Sequence, residues 1–436
     1  MRIESLTNLG KGIARIQLDQ GEDEKEQTIQ EESNNNSKKP WVVMISNVIP
    51  GELVKCRVFR NFKGHSEADL VSIVEASPHR VDEPKCPLFG VCGGCQYQHI
   101  TLDHQRTWKT QQVQELMERI GDIHKDTITV LPAIGTSHEY NYRNKMTPHY
   151  DKPTKLLDQE NSYQIREIGF KQQTNRRLVD VPYCHIMTPA INEKLIEMRE
   201  EAHANAKIGN LRRPKKGATL LLRDACDEEG NTIVETDPNA YIFNTVHNVT
   251  FQVLAGNFFQ NNPYMLPVMV DKVKEAIIHD VSGCTHLIDA YCGSGLFALT
   301  CAPEMETVVG IEVNSKAIEE ATLTATKNNI HNVEFVAASA EAIFDSSSKV
   351  QNFPRYKTVV IIDPPRSGCS EEFLNQLYNY NPKRLVYMSC DPATQARDAK
   401  SILNDNDNGY KLLSVQPLDL FPQTRHIECL MVFERE

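Results

Sequence analysis

Strand–helix alternation fills the C-terminal part of this chain and limits its fold more than any other feature. From about Asn257 onward, apolar runs at His286–Tyr291, Thr307–Val313, Val333–Ala337, Val359–Asp363, Leu385–Ser389, Leu412–Pro417 and Ile427–Phe433 read as strands. Most are separated by helical stretches, among them Ser315–Asn329, Glu371–Tyr380 and Ala393–Leu403. Strands that alternate with helices build a doubly wound α/β sheet, and the short connection before the last strand implies a closing hairpin. Ligands bind such sheets in the crevice beyond the carboxyl ends of the strands.

The preceding residues are patterned differently. Residues 1–75 carry short strand-like runs with turn punctuation, at Ile13–Ile16, Trp41–Ile45, Leu53–Phe59 and Asp69–Val74. They suggest a small β-barrel of oligonucleotide-binding type, although any small β domain would read alike. A polar insertion at 20–39, including Asn34-Asn-Asn36, is expected to protrude as a disordered loop. Residues 76–255 open with a Pro/Cys/Gly-rich segment and a polar helical stretch through Arg119, then alternate strand and loop in an α+β central region. The α/β domain takes residues 256–436.

Composition bounds the function. At 436 residues the chain has room for roughly two to four domains. No run of about 18 apolar residues exists, so no membrane span or membrane partner is expected. The N-terminus lacks the pattern of a signal or transit peptide, so the expectation is a soluble cytoplasmic protein, or an organellar one whose transit peptide is missing. The net charge of −11 weighs mildly against nucleic acid, yet part of it sits in Asp19–Glu32. Basic residues gather at Arg143 and Lys145, at Lys171 with Arg176 and Arg177, and between Lys207 and Lys216 with Arg212 and Arg213. Such runs are usually solvated faces. Twelve cysteines in a long chain without a secretory signal are expected as reduced thiols, some with metal or catalytic roles.

Leu287-Ile-Asp-Ala-Tyr-Cys-Gly-Ser-Gly295 runs from a strand through a glycine turn into a helix, which lets backbone approach a ligand closely at a helix N-terminus. Gly293, Gly295 and Ala298 also fit a dinucleotide fingerprint, so this loop alone leaves adenosyl and dinucleotide binding open. Glu312 ends the next strand, where a carboxylate can accept hydrogen bonds from both ribose hydroxyls. Asp363-Pro364-Pro365-Arg366 ends the fourth strand; its two rigid prolines form a fixed wall beside the pocket. Such turns recur in methyltransferases and are foreign to the nicotinamide fingerprint.

Amino-methyltransferases share that turn but need no cysteine. Here Ser389-Cys390-Asp391-Pro392 places a thiol directly after the fifth strand. A thiolate adding to pyrimidine C6 makes C5 nucleophilic toward a sulfonium methyl, and a base must then remove the C5 proton. Glu428 interrupts an otherwise apolar strand, which is costly unless the acid is paired or used, so it is the candidate base. An exposed edge-strand acid and a buried structural cysteine are the plainer alternatives.

With these residues in place, the C-terminal half resembles the uracil-5 RNA methyltransferases. The likeness lies in Phe258-Phe-Gln260-Asn-Asn262, Asp289-Ala-Tyr-Cys-Gly-Ser-Gly295, Gly310-Ile-Glu312-Val-Asn314, Asp363-Pro-Pro-Arg366, Ser389-Cys390-Asp391-Pro392 and Phe421-Pro-Gln-Thr-Arg-His-Ile-Glu428. The resemblance implies a Rossmann-like fold in which Gln260, Tyr291, Glu312 and Asp363 contact S-adenosylmethionine, Cys390 is the nucleophile and Glu428 the proton acceptor. Arg366 would lie near the base or its phosphates. Leu296 stands where many members have Asn, and Ser339 lies in a segment where some offer Asn or Asp to the adenine. The N-terminal segment Ile3–Arg15, with Ile49-Pro-Gly-Glu52, is similar to the small TRAM-type RNA-binding barrel of many members. The implied partner is structured RNA, ribosomal rather than transfer RNA, with no DNA, bound by a monomer that extrudes the target base. A transfer-RNA uridine-54 enzyme, a cytosine-C5 enzyme and a catalytically silent RNA-binding or chaperone protein are the rival readings.

Cys86, Cys92 and Cys95 fall in a C-x5-C-x2-C pattern, and Cys184 is a distant candidate fourth ligand. Spacing alone leaves an iron–sulfur cluster and a structural zinc both open. The loop resembles the cluster-binding loop of the ribosomal-RNA branch, which implies a 4Fe-4S cluster in a structural or RNA-positioning role. His185 and the cysteines at positions 56, 226, 284, 292, 301, 369 and 429 are read as packing or incidental.

Overall fold

The computed structural model describes residues 1–17, 40–156, 162–211, 216–278, 283–340, 348–404 and 409–435. The insertion expected at 20–39, and Arg212 and Arg213, lie outside the described residues.

The seven expected C-terminal strands form one sheet, in the order Val333–Ala337, Thr307–Glu312, His286–Asp289, Thr358–Ile362, Arg384–Ser389, Glu428–Arg435, Tyr410–Leu418. The first five run parallel, and the last pair is an antiparallel hairpin whose second arm inserts beside Arg384–Ser389. Successive residues alternate between two buried layers: Leu287, Val359, Ile361 and Val386 pack into one, Ile288, Val360, Ile362 and Leu385 into the other. That is why these strands read as unbroken apolar runs. Each such side chain contributes about 1.5–3 kcal/mol on burial. The chain leaves His286–Asp289 in both directions, so a crevice opens at its carboxyl end.

Two parts of the expected central region pack against this sheet or its helices. Helix Leu102–Arg119 packs against helix Pro392–Asn404, and Leu131 and Ile134 donate backbone hydrogen bonds along the outer strand, to Val415 and Pro417. The hairpin of Tyr241–Val246 and Val249–Leu254 lies before the expected boundary at residue 255 but bonds to elements beyond it: Leu254 N donates to Glu320, on the helix after Glu312, and Thr250 N to Asn328, which caps that helix. Helix Leu266–Ile278, absent from the expectations above, buries Leu266, Met269, Val270 and Val273 beneath the sheet.

The N-terminal strands Ser5–Leu6, Gly12–Ile16, Trp41–Ile45, Leu53–Asn61 and His65–Glu75 form a five-stranded sheet. An antiparallel bridge between Arg2 and Leu53 joins its two outer edges. Buried Glu52 bonds Arg80 through both carboxylate oxygens, at 2.6 and 2.7 Å, and the pairing holds its carboxyl below the usual range against the opposing effect of burial. Small antiparallel sheets and helix Pro189–Lys207 make up the middle of the chain.

Candidate active site

A cavity of about 650 Å³ lies at the carboxyl ends of the parallel strands. Four residues singled out from the sequence, Gln260, Tyr291, Glu312 and Asp363, line it together with Gly293 and Ser339. Gly293 and Gly295 adopt φ of 53° and 83°, and a Cβ on Gly295 would sit 2.9 Å from the Phe335 ring, so the turn needs glycine on both counts. Glu312 is oriented by two backbone donors: Gly293 N to Oε2 at 3.2 Å and Asn314 N to Oε1 at 2.9 Å.

Asp289, quoted in the sequence only as part of the glycine stretch, is a third carboxylate here. It is fully buried beneath the glycine turn; Oδ2 accepts from Ala298 N at 3.0 Å, and Oδ1 has no partner among the described residues. Burial, reinforced by the charges of Asp363 and Glu312, pushes its pKa up to about 8, and burial pushes Asp363 up to about 7. No lysine or arginine lines this cavity among the described residues. Two lining acids, a third beneath them and no lining cation suit a positively charged adenosyl ligand better than a pyrophosphate.

Cys390 lies in an adjoining pocket of about 240 Å³, with Arg366, Arg425, His426, Asn8 and Gln112. Ser389 pairs with Cys429 across antiparallel strands, so one further step in register sets Cys390 opposite Glu428. Both groups are perturbed. Burial first, then the charge of Glu428, pushes the Cys390 thiol up to about 11, while Arg366 opposes the shift through a hydrogen bond and its charge. Burial and the neighbouring Asp363 hold the Glu428 carboxyl well above the ordinary range, again against Arg366. The two cavities meet at the Asp363–Arg366 turn, as Asp363 and Pro365 line one and Arg366 the other. Glu428 itself lines neither cavity; its charge acts on the Cys390 thiol from the neighbouring strand. A thiol and a carboxyl this close beside a ligand crevice can add to and deprotonate the same ring.

Asn8 and Gln112 were not foreseen at this pocket. Asn8 comes from the N-terminal sheet's first turn, where its carbonyl accepts from Arg425 Nη1 at 3.2 Å, and Gln112 bridges to Thr7 O at 2.9 Å. Only the folded chain brings them there. Arg425 and His426 had a signal, lying in the stretch that ends at Glu428.

The four expected metal-site cysteines line one cavity of about 280 Å³, with Arg143, Lys145 and His185. Burial raises all four thiols, with Cys95 reaching about 12 and Cys184 about 11. Among the described residues no three His, Cys, Asp or Glu side chains are gathered tightly enough to hold a metal ion. A tetrahedral zinc site needs its sulfurs about 2.3 Å from one point. A cubane takes each thiolate on a different iron and spreads them wider. The four thiols thus share a cavity flanked by Arg143 and Lys145 without forming a closed mononuclear site among the described residues. All twelve cysteines are free thiols.

The comparisons with known proteins agree with this geometry. The family model for tRNA (uracil-5-)-methyltransferase matches residues 234–436. The tRNA (uracil(54)-C(5))-methyltransferase of Schizosaccharomyces pombe is 34% identical, over 91% of this chain and 74% of its own length. The 23S rRNA (uracil(1939)-C(5))-methyltransferase of Legionella pneumophila is 30% identical, over 100% of this chain and 96% of its own. The crystal structure of Pyrococcus abyssi tRNA (uracil-54, C5)-methyltransferase in complex with S-adenosyl-L-homocysteine shares the fold, with a TM-score of 0.65 over 99% of both chains at 20% identity. Likeness at this identity and length, from both a tRNA and an rRNA enzyme, settles the family: the chain belongs to the uracil-C5 RNA methyltransferases.

Proposed function

We propose that this chain methylates C5 of a uridine in structured RNA from S-adenosylmethionine, with Cys390 as nucleophile and Glu428 as base. The observation that carries the reading is the placement of these two side chains across adjacent strands, beside an acidic cavity without a lining cation. Bound there, the sulfonium supplies an electrophilic methyl group. Cys390 adds as thiolate to C6, and the electron pair displaced from the C5–C6 bond makes C5 the attacking carbon. Glu428 then takes the C5 proton, the double bond re-forms and the thiolate leaves. Arg366, bonded to Cys390, favours the thiolate before addition and after elimination. The five-stranded N-terminal sheet binds RNA in this reading, and the cysteine quartet carries a 4Fe-4S cluster with no part in the methyl transfer.

Mapping 5-methyluridine in ribosomal and transfer RNA, with and without the gene, tests the activity and the substrate together. The cysteine loop's likeness to the ribosomal-RNA branch makes loss of a ribosomal site the expected result. Loss confined to transfer RNA overturns that choice, and no loss overturns the activity. For the quartet, anaerobically purified protein is expected to carry iron and acid-labile sulfide in equal amounts; zinc without sulfide overturns the cluster.

Glu312 gives a separate test of the donor cavity. Its carboxylate holds two backbone donors and faces the ligand space, so Glu312→Ala removes the acceptor and loosens the glycine turn. S-adenosylhomocysteine affinity by calorimetry is expected to fall roughly tenfold to a hundredfold, in line with about 1.5–3 kcal/mol for a charged hydrogen bond. Unchanged affinity would place the adenosyl group elsewhere.

A further inference from the structure

The loop between the last two strands brings Arg425, His426 and Ile427 to the Cys390 pocket and leads directly into Glu428. Its middle is strained: buried Gln423 has a φ of 68°, uncommon for a residue with a side chain. Such a backbone persists only where its surroundings over-determine it. Gln105, on helix Leu102–Arg119, meets Gln423 head to head. Its Oε1 accepts from Gln423 N at 2.9 Å, and its Nε2 donates to Gln423 Oε1 at 3.0 Å. The N–H groups of Gln96 and Tyr97 both donate to the Gln423 carbonyl, at 3.0 and 2.9 Å, and Gln96 Oε1 accepts from Arg425 N at 3.2 Å. Gln105 is fully buried and also donates to the carbonyls of Tyr97 and Ile100, so one amide ties all three segments together. Gln105 lines neither the donor cavity nor the Cys390 pocket.

We propose that Gln105 is a positioning residue for proton abstraction, acting through Gln423 to hold the loop that sets Glu428 opposite Cys390. This rests on the reading of Glu428 as the base. In the affected step the Glu428 carboxylate takes the C5 proton, the C5–H electrons form the C5–C6 double bond, and the C6–S bond breaks to release the Cys390 thiolate. Neither Gln105 nor Gln423 lines the donor cavity or the Cys390 pocket, so addition and methyl transfer are expected to be affected less than elimination. Gln96 and Tyr97 directly follow Cys95, and Thr424 and His426 line the quartet's cavity, so the cysteine loop and the base-bearing loop are joined at this clamp.

The test uses the full chain, radiolabelled S-adenosylmethionine and total RNA from cells lacking the protein, and measures label that stays protein-bound in denaturant. Gln105→Met keeps the volume and removes the amide. Gln423→Gly accepts the positive φ without strain and removes the side-chain half of the clamp, which guards against a folding failure in the first variant. Glu428→Gln is the comparator. In both clamp variants the trapped adduct is expected to rise about fivefold or more, with first-turnover methyl transfer within about threefold of wild type. Adduct at the wild-type level, or first-turnover transfer falling in parallel with overall turnover, overturns the clamp while the comparator still traps. If Glu428→Gln traps nothing, both the base and the clamp fail.

Discussion

Cys390→Ala reduces methyl transfer to RNA to background, a loss on the order of 10⁴-fold or more, equivalent to about 5.5 kcal/mol of barrier. The size follows from the chemistry. Without addition at C6, C5 of uracil has no usable electron pair, and no neighbouring side chain replaces the thiolate. Cys429 is close across the sheet, paired with Ser389, but it is fully buried and its thiol is raised by burial and by Glu428. Cys390 does not line the donor cavity, so the variant should bind S-adenosylhomocysteine as wild type does. Methyl incorporation within tenfold of wild type would remove the covalent mechanism. The pH dependence of the wild type supplies a second check. A thiol held at about 11 is mostly protonated at neutral pH, so kcat/KM should climb through the neutral and mildly alkaline range by about tenfold per unit. A flat profile would mean that neither the thiol nor the carboxyl titrates in the free enzyme's rate-limiting step.

The parallel sheet was legible because each strand buries both faces. Val333–Ala337 and helix Glu371–Tyr380 match their expected bounds, the helix with Ser370 accepting from Phe373 N as its N-cap. The adjacency of Cys390 and Glu428 was legible for a related reason, as polar residues where an apolar strand ends or is interrupted. What could not be read depends on contacts distant in sequence. Asn8 reaches the Cys390 pocket because the N-terminal sheet docks on Arg425. Lys109 falls in the polar helical stretch through Arg119, yet it is fully buried and bonded at 2.5 Å to Asp419, where the base-bearing loop begins. A buried cation of that kind is tolerated only with its partner in place, and nothing local announces a partner 310 residues away. The hairpin of Tyr241–Val246 and Val249–Leu254 misled in a third way. Its strands alternate like any antiparallel pair, and only the helix carrying Glu320 and Asn328 shows which sheet they flank.

Glu428→Gln stops the reaction after the methyl group has moved. The side chain is buried, and burial with the charge of Asp363 raises its carboxyl well above the ordinary range, so a neutral amide of the same shape fits the resting fold at little cost. A carboxyl raised from 4.5 on folding contributes stability that is complete below that value and lost as pH rises toward its folded value. The amide has no such loss, so the variant should gain in melting temperature relative to wild type as pH rises above about 4.5. Its chemistry fails for the opposite reason: an amide cannot accept the C5 proton. Removing a general base costs about 10²–10⁴-fold in that step. Addition and methyl transfer still depend on Cys390 and the donor cavity, so one methyl per enzyme should enter RNA and remain joined to protein through C6. A denaturant-stable, methyl-labelled protein–RNA adduct approaching the enzyme in amount is the expected result, with turnover nearly abolished. A variant that turns over within about threefold of wild type would assign the proton to another base. One that forms no adduct while binding S-adenosylhomocysteine normally would place Glu428 in addition rather than elimination.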